Sequence, residues 1–211
     1  MILNDVQTRV TRQFGDTAGA VISAADVARW ATDAQLEIVR KTKLNETDTV
    51  LASIPGTNTY LVVNVLEVRR VKYDGFPLRQ VTIQELDTLY PARATSGYGQ
   101  NTPSHYRATE SGVEVFPIPA DNVGIITVTH TKRPSPVVNL TDTFEIPEQY
   151  HELIVRRVLE RCYETDGQWN AADRMHSQVK EEQGEAAHDK ATGGGDSYPA
   201  VRSLPGDMGD A

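Results

Sequence analysis

Cys162 and His151 are the two residues of this chain that most invite a chemical role. A thiolate beside an imidazole is the pairing from which hydrolases build a nucleophile and its base. They lie eleven residues apart in one segment of helical periodicity. At about 1.5 Å of rise per residue that places them roughly 16 Å apart along the axis, far beyond hydrogen-bond reach. Cys162 is the only cysteine, so no internal disulfide can form. It is expected to be a small buried core residue.

The other histidines, His105, His130, His176 and His188, stand on separate segments without the i, i+4 spacing that brings two imidazoles onto one metal. Gly193-Gly194-Gly195 is followed by Asp196 and Ser197 and lacks the Lys-Ser/Thr of a phosphate cradle, so it reads as a linker. Glu181, Glu182 and Glu185 could hold a divalent cation or do acid/base work, but a solvated or channel-facing helix surface is the better reading. The basic groups Arg69-Arg70-Lys72 and Arg156-Arg157-Arg161 lack the interleaved aromatics that stack on bases. They are expected to make ion pairs between subunits. No catalytic, cofactor-binding or metal-binding residue is therefore expected, and the chain is not expected to be an enzyme.

The charge is unevenly spread. Of the net -8, residues 163–211 carry -6, from ten acidic and four basic residues. An acidic surface repels phosphate, which argues against a grip on DNA driven by counterion release but allows loose passage of a duplex. No apolar run approaches the roughly 20 residues that span a bilayer. The first fourteen residues mix Asp5, Arg9 and Arg12 with apolar positions, unlike a signal peptide, so intracellular synthesis is expected.

The elements that position these residues fall into three groups. Leu3, Val6, Val10 and Phe14 mark a first amphipathic helix ending near Gly15. Ser23 can cap a second, from about Ala24 to Lys43, whose apolar face is Val27, Trp30, Ala34 and Ile38. From Asn45 the texture turns to β-branched and aromatic runs, with Asp74-Gly75 as a tight-turn signal between strands. A second hairpin is expected from Ser104–Thr109 and Val113–Phe116, joined by an alternating strand, Ile125 to Lys132. Between the groups, Thr82 and Glu85 form a capping box for a short helix that Pro91 stops, and a Gly/Ser-rich surface loop follows. Helical periodicity returns at Pro147, with Tyr150, Ile154, Val158 and Cys162 on one stripe. A fourth helix carries Trp169, Ala172, Met175 or His176, and Val179.

Read in order, these features resemble the head-to-tail adaptor (connector, or tail-completion) proteins of tailed bacteriophages. The resemblance spans residues 1 to about 185. It is carried by Trp30 to Ile38, by the strand-turn-strand Leu66 to Leu78 with Thr82 to Leu86 after it, by Val115-Phe116-Pro117-Ile118-Pro119, and by Phe144 to His151 opening a long helix. It implies an α+β fold in which the N- and C-terminal helix pairs form a four-helix bundle around an inserted antiparallel β-rich domain. The parts are 1–45, 46–146, 147–190 and a flexible tail, 191–211.

What the resemblance implies for function is a virion protein at the head-tail junction. It would be one subunit of a homo-oligomeric ring, a dodecamer, that contacts the portal protein, its neighbours and a tail or nozzle protein, with DNA passing transiently and no membrane involved. On this reading the spaced apolar residues Tyr198, Val201 and Leu204 dock on the portal. Glu181, Glu182 and Glu185 line the channel, and Asp74, Gly75 and Phe76, with Gly97 and Tyr98 in the loop, face the tail. The alternatives are a tail-tube or nozzle subunit of the same virion and, more remotely, a small Cys/His hydrolase.

Overall fold

The computed structural model describes residues 1–16, 21–91 and 101–193, with side chains described as far as residue 188. Among these the chain is α+β, with five α-helices and eight strands. Tyr198, Val201, Leu204, Gly97 and Tyr98 lie outside the described residues.

The first helix, α1 (Leu3–Phe14), buries Leu3, Val6 and Val10 and stops where Gly15 takes a φ of 86°, sending its N–H to Thr11 O. In α2 (Ala24–Thr42) the Ser23 hydroxyl accepts the Asp26 N–H at 3.1 Å, and Lys43 closes the helix with a φ of 55°. Its buried stripe is Val27, Ala31, Ala34, Gln35, Ile38, Val39 and Thr42, so Ala31 sits at the heart of the contact where Trp30 was expected. Trp30 packs only from the side.

The chain then builds two four-stranded sheets. One runs in the order β1 (Glu46–Ala52), β8 (Ile125–Lys132), β3 (Val65–Tyr73), β4 (Phe76–Pro77). The other is β2 (Thr59–Leu61), β7 (Gly112–Phe116), β6 (His105–Thr109), β5 (Arg79–Gln80). They share a core of Tyr60, Val71, Tyr106, Val113, Ile126 and Val128, and so form a sandwich. Gly112 is required where β7 runs close beside β2, because a Cβ there would lie 2.0 Å from Tyr60 O.

The Asp74-Gly75 turn forms as expected, both residues at positive φ between β3 and β4. The hairpin of β6 and β7 forms as well. Ile125 to Lys132 does not join it. β8 lies instead between β1 and β3, bonded antiparallel to both. Its alternation is real, with Ile126, Val128 and His130 buried on one face, but alternation does not say which sheet a strand enters. The capping box of Thr82 and Glu85 opens α3 (Ile83–Leu89), which lays Leu86 on Val81 and Phe116.

After β8, residues 133–146 return along α2. Gln35 receives Glu145 and holds Ser135, while Val137, Phe144 and Ile146 enter the core formed by α1, α2 and α4 (His151–Thr165). A turn of 3-10 helix, Glu148–Tyr150, leads into α4. The last helix, α5 (Trp169–Gly193), packs against α4 and α2 through Ala172, Val179 and Ala186, seven residues apart. Trp169 was expected on this stripe. It is 65% exposed, because it stands on the first residue of the helix, at the turn where α4 has already ended.

Candidate functional surfaces

The two residues with a nucleophile's chemistry are sealed in the helical core. Cys162 is fully buried, and burial pushes its thiol up to about 12, so it stays protonated at neutral pH. His151, at the opposite end of α4, turns its Nε2 to Ile146 O at 2.9 Å, and burial lowers its pKa. His130 is buried with Nδ1 3.3 Å from Val128 O. At His105, two hydroxyls, Tyr90 OH and Ser104 Oγ, converge on Nδ1 at 3.0 and 2.9 Å, which ties the end of α3 to β6. Among the described residues there is no group of three or more His, Cys, Asp or Glu side chains that could hold a metal ion. No described helix is long and apolar enough to cross a membrane.

The basic residues of α4 are not reserved for a neighbour, contrary to expectation. Arg156 pairs with Glu182 of α5, Arg157 with Glu37 of α2 and with Glu160, and Arg161 with Glu164. Arg69 likewise pairs with Glu67 at 3.6 Å. The reason is geometric: α4 packs against both α2 and α5, which supply Glu37 and Glu182, and Glu160 and Glu164 stand one turn along α4 itself. Burial opposes the charge on Glu37, but the hydrogen bonds and charges of Lys41 and Arg157 outweigh it and hold its carboxyl below the usual range. Glu160, 3% exposed, also accepts from His176 at 2.9 Å.

The three glutamates of α5 therefore divide. Glu182 is half-buried and its charge is matched by Arg156, whereas Glu181 and Glu185 are exposed. Spacing alone placed all three on one surface, and the partner on α4 separates them.

At one end of the sandwich the Asp74-Gly75 turn is held by two bonds to β8. Asp74 N–H donates to Ile125 O at 2.8 Å, and Ile125 N–H to Asp74 Oδ1 at 2.7 Å. The turn carries Phe76, 76% exposed, and it does not stand alone. Ile125, whose backbone is bonded to the turn, is half exposed, and Val123 two residues before it is 81% exposed. A cluster of exposed large apolar side chains rimmed by polar ones marks a contact surface. Phe76 was legible as a turn residue, but its nearness to Ile125 was not, since that residue lies 49 positions further along the chain.

An α+β chain with Cys162 and His151 buried and Phe76 exposed at a tight turn offers no reactive centre at these residues. A family model described as SU10 adaptor protein matches residues 1–202, so the chain belongs to the SU10 adaptor protein family and is a structural adaptor of a phage virion. No curated protein matches the chain. The adaptor resemblance carried by Trp30 to Ile38 and Leu66 to Leu78 is thereby borne out at the level of the family.

Proposed function

We propose that this chain is one subunit of a dodecameric ring that joins the portal to the tail and lets the genome pass through its centre. The observation that carries the reading is the family match across residues 1–202. The helix pairs of 1–45 and 147–190 act as one four-helix bundle, supported by the contacts of α4 with α1, α2 and α5. The β-rich part, 46–146, faces the tail or nozzle protein through Asp74, Gly75 and Phe76, supported by the exposure of Phe76 at that turn. Gly97 and Tyr98 would contact the tail as well.

The part of the chain that follows α5 docks on the portal through Tyr198, Val201 and Leu204. Glu181 and Glu185, with Glu182 beside them, face the channel and keep the duplex from adhering by like-charge repulsion. Electron microscopy of the chain mixed with its own phage's portal tests the reading. Ring density should appear on the tail side of the portal, and a portal left bare would remove it.

A further inference from the structure

α5 is fastened to the helical part differently from α1, α2 and α4. Those three meet through large apolar side chains such as Leu3, Ile38 and Ile154, all fully buried in one core. Of α5 only Met175 packs against that core, and it is half-buried. The other apolar residues that α5 buries, Ala172, Val179 and Ala186, are small and stand outside the core cluster. Little apolar area is therefore returned to water when α5 leaves its seat.

What holds α5 is polar and lies at the rim. Glu182 pairs with Arg156, both side chains 31% exposed, and His176, 56% exposed, meets Glu160 at 2.9 Å. Further along, Nζ of the exposed Lys41 donates to Gln183 Oε1 at 3.1 Å. The pair that ties α2 to α4 lies deeper: Arg157, its side chain 13% exposed, reaches Glu37 at 2.8 Å. Salt screens exposed pairs far more than buried ones, so it should weaken the seat of α5 and spare the contact of α2 with α4. Gln183 works in the same direction. The residue is buried and its Nε2 has no hydrogen-bond partner, a deficit that water makes good only when the helix lifts.

The joint before α5 is slight. Three residues, Asp166 to Gln168, separate it from α4, and Gly167 among them takes a φ of 75°. Nothing lies within 4 Å of where a Cβ would stand at Gly167, so its backbone can turn without displacing a neighbour. α5 packs chiefly on α4 and α2, so little else has to break. We propose that α5 is a salt-sensitive latch: it lifts from α2 and α4 as one unit, turning about Gly167, while the core of α1, α2 and α4 and the β-sandwich stay folded. Such an opening redirects Glu181 and Glu185, with whatever follows α5 in the chain, and leaves the rest of the fold intact. It is a property of the single chain and does not depend on the ring reading above.

Hydrogen exchange on the full chain, read by mass spectrometry in about 0.05 M and about 0.5 M sodium chloride, tests the latch. The amides of 172–182 in α5 are expected to share one exchange rate, at least about tenfold above that of 153–162 in α4. The gap should widen several-fold in the higher salt, with α4 as the internal reference. Glu182→Gln should reproduce that widening at low salt. Gln183→Met, which removes the unsatisfied amide, should narrow the gap, a gain in protection that a misfolded variant cannot give. Rates that climb gradually toward the C-terminal end of α5 are fraying and overturn the latch. So does common exchange of α4 and α5 at both salts, which means that the helices open together. Neither result bears on the adaptor reading, which is decided on the portal.

Discussion

Gln35 grips Glu145 across 110 positions of sequence: its Oε1 accepts the Glu145 N–H at 2.7 Å, while its Nε2 donates to Ser135 O at 3.2 Å. The side chain is fully buried, so this one amide binds the return of the β-rich part to the middle of α2. Replacing it by leucine strands backbone groups that water reaches poorly. Gln35→Leu is expected to lower the unfolding free energy by about 1–3 kcal/mol, measured by urea denaturation. An unchanged midpoint would show that the clamp is dispensable.

Acid should loosen the helical part in two steps. His151 has its folded pKa lowered from 6.5 by burial, so it adds stability above that value and loses it as pH falls below. Glu37, held below 4.5 by Lys41 and Arg157 against the cost of its burial, adds stability above 4.5 and loses it as pH falls further. Thermal melts should show Tm declining from about pH 6.5 downward. His151→Gln should flatten the first part of that decline and Arg157→Met the second.

Because its thiol is enclosed and protonated, Cys162 should resist alkylation in the native protein at pH 8. Mass spectrometry after iodoacetamide treatment should find it unlabelled until denaturant is added. Rapid native labelling would mean that α4 opens readily.

Phe76 should matter to assembly and not to folding. With most of its ring in solvent, Phe76→Ser is expected to change stability by no more than about 0.5 kcal/mol. Virions carrying it should accumulate filled heads without tails, counted by negative-stain microscopy. A normal proportion of tailed particles would clear this surface of the role.

Glu181→Lys/Glu185→Lys reverses two exposed charges on α5 while leaving the Glu182–Arg156 pair in place. Ring assembly should persist and DNA ejection should slow, as followed by release of a dye-bound genome. Equal ejection rates would take α5 away from the channel.

Much of the local structure was legible in the residues themselves. The stripe Leu3, Val6 and Val10, the Ser23 cap, the Asp74-Gly75 turn and the Thr82/Glu85 box each act within one or two turns of chain, and each formed where its spacing put it. The α+β class and the family likeness followed from their order. What the tertiary structure alone decided is who meets whom over long separations. It set β8 beside β1 and β3, paired Glu46 with Thr131, turned Arg156 and Arg157 inward to Glu182 and Glu37, and bonded Ile125 to the turn before Phe76. Periodicity reports only which face of an element is apolar. The partner for that face is selected by packing and hydrogen bonding summed over the whole chain, and that sum is not written in any one segment.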